Sequence, residues 1–172
     1  MILRIPRAVD MQTLGRRLGQ ALLQVGPAPQ VIALNGDLGA GKTTFVTGVL
    51  AGCGIAGSAR SPTYTLIEPY EVGDRTLYHL DLYRLSGPED LEALGIRDLH
   101  TPGNSLLVEW AERGEGALPP VDLSLSFRYV DAGDVGSGDS PREVEVTPMS
   151  TLGVQIAASL ADIDSGLVVG GT

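Results

Sequence analysis

Gly36-Asp37-Leu38-Gly39-Ala40-Gly41-Lys42-Thr43 sets glycines at the start and near the end of an eight-residue run and follows the last with a lysine and a threonine. Glycines let the chain turn through positive φ and approach a ligand closely, so that successive backbone N–H groups converge on phosphate oxygens. A helix opening at the lysine adds unpaired N-terminal donors and the positive end of its dipole. In that pattern, G-x-x-x-x-G-K-[ST], the Lys42 ammonium reaches the β- and γ-phosphates and the Thr43 hydroxyl can ligate Mg²⁺. Asp37, Leu38, Gly39, Ala40, Gly41, Lys42, Thr43 and Thr44 are therefore the candidate nucleotide-binding residues. Lys42 is the only lysine, the other 11 of the 12 Lys+Arg residues being arginine. A chain that writes arginine elsewhere keeps a compact ammonium here because a wide planar fork does not replace it. The guanine signature N-K-x-D needs a second lysine, so ATP is the expected occupant.

Acidic groups follow at two places. In TLYHLDLYRL, residues 76–85, His79, Asp81 and Tyr83 are two apart and share one face of a strand, with Tyr78, Leu80 and Leu82 on the other. Asp81 fits the acidic partner that holds Mg²⁺, directly or through water; His79 and Asp81 also read as a buried hydrogen-bonded pair of structural purpose. In LLVEW, residues 106–110, Glu109 ends a buried strand, where α/β sheets place their ligands, and could orient the metal's water shell or polarise an attacking water. Trp110 could pack against nucleotide or partner, or serve as a core residue. Ser61-Pro62-Thr63-Tyr64-Thr65 lies where nucleotide-sensing segments occur in such folds. Arg60 and Arg84 are the candidates for a transition-state arginine. Cys53 reads as a small buried apolar residue and His100 as a surface loop residue.

These groups need a frame. Residues 10–25 repeat Met11, Leu14, Leu18, Leu22 and Val25 at helical steps, and Gly-Pro-Ala-Pro ends that helix. QVIALN, 30–35, predicts a strand buried on both faces, and TTFVTGVLAG returns to helical spacing after the loop. TYTLIEPY, TLYHLDLYRL and SLLVEW predict further strands. Ser86-Gly87-Pro88-Glu89 has capping-box spacing and opens a helix that Gly95 can close. VDLSLSFRY, 121–129, alternates strictly, DAGDVGSGDSP is a solvated loop, and REVEVTPM is a strand. The expected fold class is α/β: a three-layer P-loop NTPase-like domain over residues 1–163, with a mainly parallel central sheet, flanking antiparallel strands, and a loose tail over 164–172.

Composition narrows the function classes. The 172 residues carry a formal charge of −9, and the arginines stand singly apart from Arg16-Arg17, so the basic face needed to grip nucleic acid unaided is missing. One cysteine excludes an intramolecular disulfide framework. The N-terminus lacks the pattern of a signal peptide and no apolar run reaches membrane-spanning length, so a cytoplasmic protein without membrane association is expected.

GDLGAGKTT, SPTYTLIEPY, YHLDLYRL, LEALGIRDL and LLVEW, in this order and spacing, resemble the TsaE (YjeE) family, the small ATPase of bacterial tRNA threonylcarbamoyladenosine biosynthesis. The resemblance runs from about Thr13 to Leu118 and is loose over the last fifty or so residues. It implies an ATP site in the loop, a Mg²⁺ set of Thr43, Asp81 and Glu109, a switch segment at Ser61 to Thr65, and Trp110 beside the acidic residue. With Lys42, Asp81 and Glu109 carry the chemistry. It also implies that nucleotide approaches the stretch before the first helix and a glycine-arginine pair near the last strand, where this chain reads Pro141-Arg142. The implied partners are TsaD and TsaB, with tRNA reached only through them. The loop alone equally permits a small-molecule kinase or a nucleotide-dependent adaptor that does not hydrolyse ATP.

Overall fold

QVIALN carries no charge and buries every position but the last, as a strand covered on both faces must. It is the middle strand of one seven-stranded sheet. The computed structural model describes residues 1–60, 62, 65–130 and 140–161. Its elements run β1 (Ile2–Ile5), α1 (Ala8–Gln24), β2 (Gln30–Asn35), α2 (Lys42–Gly52), β3 (Ile67–Val72), β4 (Arg75–Asp81), α3 (Pro88–Ala93), α4 (Ile96–Leu99), β5 (Asn104–Glu109), a 3-10 turn (Ala111–Gly114), β6 (Leu123–Tyr129), β7 (Arg142–Pro148) and α5 (Thr151–Ala161). The strand order is β1-β7-β6-β2-β5-β4-β3. β6, β2, β5 and β4 pair in parallel; β7 and β1 on one margin and β3 on the other run antiparallel to their neighbours.

Alternation along the strands builds a core on each face. Ile32, Leu34, Leu77, Leu107, Leu125 and Phe127 join the cluster of α1, α2 and α5. Val31, Ala33, Leu80, Leu106 and Val108 join that of α3 and α4. The result is the three-layer α/β architecture of P-loop NTPases, parallel at its centre and antiparallel at its margins. Phe45, one turn into α2, meets Phe127 of β6 edge to face, with ring centroids 5.3 Å apart, and truncating such a buried ring costs about 3–5 kcal/mol.

α1 and α2 cross through glycine. A Cβ added at Gly15 would lie 2.1 Å from the Phe45 carbonyl oxygen, at Gly19 2.2 Å from that of Val49, at Gly48 2.2 Å from that of Gln12, and at Gly52 2.1 Å from that of Arg16. Backbone thus packs on backbone, and the helix that carries the phosphate loop is set against its neighbour without side chains between them.

Several boundaries differ from the sequence reading. Proline occupies the first turn of α3, as expected, but the cap is Gly87 rather than Ser86. The Asp90 carboxylate accepts the N–H of Ser86, the residue before the cap, at 2.9 Å, and no side chain caps the helix, so the expected capping box does not form. Gly95, at φ +68°, closes α3 as expected and opens α4. β3 starts only at Ile67 because Leu66 takes φ +61°, and β5 stops at Glu109 because Trp110 takes φ +57°. β4 ends at Asp81, leaving Tyr83 beyond the strand on which it was expected. β1 and α5 lack a clear signal: β1 is four residues long, and α5 begins where the Ser150 hydroxyl donates to Asp122 and accepts the Gly153 N–H. Among the described residues no helix is long and apolar enough to cross a membrane. Most of the expected solvated loop, the tail from 164, and Ser61, Thr63 and Tyr64 lie outside the described residues.

Candidate functional site

The carboxyl ends of β2, β4 and β5 lie on one edge of the sheet because all three strands run parallel, and that edge is where open α/β sheets bind ligands. From β2 the chain turns at once through Gly36 at φ +137° and enters α2 through Gly41 at φ +107°, conformations that a side chain at either position would strain. A Cβ on Gly36 would also meet the Phe127 carbonyl oxygen at 2.4 Å. No side chain caps α2, so its first N–H groups face outward as an anion site. Ala40 is buried beneath the loop, while Asp37 and Leu38 form its exposed tip.

Lys42 is 5% exposed. Its ammonium donates to the carbonyl oxygens of Gly36 at 2.6 Å and Asp37 at 3.0 Å, lies 4.0 Å from Glu109 Oε2 and sits 4.8 Å from the centre of the Trp110 ring. Carbonyl dipoles, a carboxylate and an aromatic face hold this buried charge.

Asp81 and Glu109 are cross-strand partners in register. Asp81 accepts the Tyr83 N–H at 3.0 Å, which turns the chain at the end of β4. Glu109 is buried, and its Oε1 lies 2.9 Å from Nε2 of the fully buried His79. His79 therefore pairs with Glu109 rather than with Asp81. The opposite ring nitrogen, His79 Nδ1, is buried with no hydrogen-bond partner among the described residues, a state that costs about 1–3 kcal/mol. Beyond the strand ends, Tyr83 tilts against Trp110 with centroids 5.1 Å apart, and the Arg113 guanidinium lies 5.2 Å above the Tyr83 ring.

Leu38, Gly39, Gly41, Lys42, Thr43, Thr44, Asp81, Tyr83, Arg84, Glu109 and Trp110 line one cleft of about 380 Å³. The structure thus brings Thr43, Asp81 and Glu109 to the same opening as the loop. It leaves Arg60 outside that cleft, beside Glu68 at 3.5 Å, and puts Arg84 on its wall. A smaller cavity of about 90 Å³ lies on the other side of the loop, between Ile5, Arg7, Ala8, Met11, Gly39, Gly41, Thr44, Ser140 and Arg142. Arg142 Nε is buried there without a partner among the described residues, and the guanidinium stacks 4.1 Å above the Tyr129 ring. Arg7 grips both Asp10 oxygens at 2.9 Å, which holds the Asp10 carboxyl below the usual carboxylate range. Tyr83 and Arg84 follow Asp81 closely enough to be found from sequence; Tyr129 and Arg113 carry no local signal.

Among the described residues no three His, Cys, Asp or Glu side chains converge as a metal cluster. The donors present are a hydroxyl at the start of α2 and carboxylates on neighbouring strands, a hard-oxygen set open to one side. It suits Mg²⁺ that takes its remaining ligands from phosphate and water.

A central parallel sheet, a glycine loop feeding a helix, and a lysine between the two define a P-loop NTPase fold. The family model described as "Threonylcarbamoyl adenosine biosynthesis protein TsaE" matches residues 5–135, and the chain belongs to that family. The tRNA threonylcarbamoyladenosine biosynthesis protein TsaE of Haemophilus influenzae is 38% identical over 159 residues, covering 92% of this chain and 96% of that protein. Its Bacillus subtilis counterpart is 39% identical over 117 residues, 68% of each chain. The crystal structure of Bacillus subtilis YdiB superposes with a TM-score of 0.68 at 30% identity, covering 94% of this chain and 93% of that one.

Proposed function

We propose that this chain is an ATP hydrolase serving threonylcarbamoyl modification of the adenosine next to the anticodon in tRNA, acting with a TsaD–TsaB complex. Membership of the TsaE family supports the pathway. The observation that carries the activity is the convergence of Lys42, Thr43, Asp81 and Glu109 on one cleft beside the phosphate loop. One sheet through all the described strands supports a single ATPase domain over residues 1–163.

Gly36 to Thr44 would receive the triphosphate through backbone N–H groups, and Lys42 would exchange its present carbonyl partners for β- and γ-phosphate oxygens. The smaller cavity, which shares Gly39, Gly41 and Thr44 with the cleft, is open to the rest of the nucleotide through Arg7, Met11 and Arg142. Thr43, Asp81 and Glu109 would hold Mg²⁺, the carboxylates directly or through its water shell. The metal would neutralise charge developing on the transferred phosphoryl group. Glu109 keeps one oxygen toward Lys42 and the cleft, where it can orient the attacking water. Trp110 would cover the phosphate end of the site.

Arg84 reaches the cleft wall but is exposed, so hydrolysis by the chain alone is slow and the partner complex raises it. ATP turnover measured with and without purified TsaD–TsaB tests this: stimulation of at least about tenfold is expected, a threshold well below the roughly 10³–10⁵ that a supplied arginine gives elsewhere, and equal rates contradict gating. Glu109→Ala should abolish both ATP turnover and tRNA modification; retention of both would point to an adaptor. Transfer of the γ-phosphate to a metabolite instead of water would point to a kinase.

A further inference from the structure

His79 is not among the residues that line the cleft, yet among the described residues its imidazole bonds to the carboxylate that ends β5. His79 is fully buried and lies in β4 opposite Leu107, one pleat below the Asp81–Glu109 pair. Nε2 stands 2.9 Å from Glu109 Oε1, while Glu109 Oε2 stands 4.0 Å from the Lys42 ammonium. Imidazole, carboxylate and ammonium therefore form a row running from the sheet interior to the phosphate loop. A glutamate side chain has three rotatable bonds, and backbone conformation restricts the first of them far more than the terminal carboxylate torsion, which is broad. The ring, locked by packing on a rigid strand, fixes that torsion. Because a carboxylate only accepts, Nε2 is the nitrogen that donates in this bond, and Nδ1 is the nitrogen left over. That nitrogen is buried without a partner among the described residues, whereas a histidine serving packing alone would be expected to have both nitrogens satisfied. Its one bond is spent on Glu109.

We propose that His79 is a positioning residue for the hydrolytic step: its Nε2–H pins one oxygen of Glu109 so that the other faces the cleft. The inference rests on the hydrolase reading above. It assigns His79 no contact with nucleotide, so the residue acts on turnover and leaves nucleotide affinity alone.

The test measures ATP turnover with TsaD–TsaB present and, separately, ATP affinity by calorimetry, for wild type, Glu109→Ala, His79→Phe and His79→Gln. His79→Phe keeps ring volume and loses the donor. Its kcat should fall about 10–100-fold, the usual effect of losing a partner that orients a catalytic ligand, while its Kd for ATP stays within about threefold. His79→Gln returns an N–H donor near the position of Nε2 and should recover most of the lost turnover. In nucleotide-free protein the His79 ring N–H should give a protected resonance in ¹H–¹⁵N spectra that shifts or vanishes in Glu109→Ala.

His79→Phe turning over ATP like wild type, His79→Phe losing affinity as much as turnover, or His79→Gln as impaired as His79→Phe would each overturn the proposal. If His79→Phe does not fold, the Gln variant and the resonance decide the matter, and a ring N–H signal indifferent to Glu109→Ala overturns the proposal. A wild type that hydrolyses no ATP sinks the hydrolase reading and this proposal with it. Turnover lost in Glu109→Ala but untouched in His79→Phe sinks this proposal alone.

Discussion

At the scale of single residues, Lys42 is enclosed. Two carbonyl oxygens at 2.6 and 3.0 Å, the Glu109 carboxylate and the Trp110 ring surround its ammonium. A guanidinium is planar, wider and presents five donors, so it does not fit where a point charge does. Lys42→Arg is expected to lose at least about tenfold in ATP turnover, an increment of about 1.4 kcal/mol or more in the barrier, and steady-state kinetics will show it; near-normal turnover would mean that the enclosure does not matter. Cys53 behaves differently. Burial pushes its thiol from the ordinary 9.0 up to about 11, so the folded protein favours the neutral form. The resulting stability is fully present below pH 9.0 and is lost as pH rises toward about 11, on the order of 3 kcal/mol in all. Denaturant unfolding of wild type should therefore weaken over that window more than that of Cys53→Ala, and a thiol reagent at neutral pH should react only on unfolding. The loop, Asp81 and Glu109 were legible in the sequence because their residue types stand at spacings that chemistry requires. The His79–Glu109 bond was not, because only the parallel register of β4 and β5 decides whether His79 meets Asp81, two residues away, or Glu109, thirty residues on.

At the scale of elements, the site depends on how α2 is held. Its N-terminus faces the ligand and its flank lies directly on α1 through Gly15, Gly19, Gly48 and Gly52. Gly48→Ala would bring a methyl group to 2.2 Å from the Gln12 carbonyl oxygen. The helices must then part, and the expected cost is about 3 kcal/mol, at the upper end of overpacking penalties. Gly73→Ala, in the two-residue turn between β3 and β4 at φ +63° with open space around it, should cost only about 1 kcal/mol. Chemical denaturation separates the two, and equal losses would contradict the close crossing. The strand–loop–helix unit at 30–52 was legible because apolar run, glycines and helical spacing agree. β1 escaped because four residues containing an arginine resemble any terminus; its Leu3 and Ile5 are buried only once β7 lies beside them. α5 escaped because its opening depends on Ser150 and on Asp122, which are distant in sequence. The cap of α3 moved by one residue because Pro88 takes the first helical turn and leaves Gly87 as cap.

At the scale of the whole molecule, a net charge of −9 and scattered arginines argue against an unaided grip on tRNA, and the proposed function accordingly has tRNA reached through partners. The α/β class and its layers were legible from the order of elements. The two walls of the smaller cavity, the stretch before α1 and Arg142, were indicated only through the family resemblance; residue spacing gave no sign of the cavity itself, because those walls come together only when β1 and β7 pair at the sheet margin. The central claim is that ATP hydrolysis at the Lys42 loop lets a TsaD–TsaB complex turn over. Its most direct test is a multiple-turnover tRNA threonylcarbamoylation assay reconstituted with TsaD–TsaB, ATP and Mg²⁺, run with wild type, with Glu109→Ala and without this chain. Sustained modification with wild type and arrest in the other two reactions is the predicted result; equal yields in all three would contradict it.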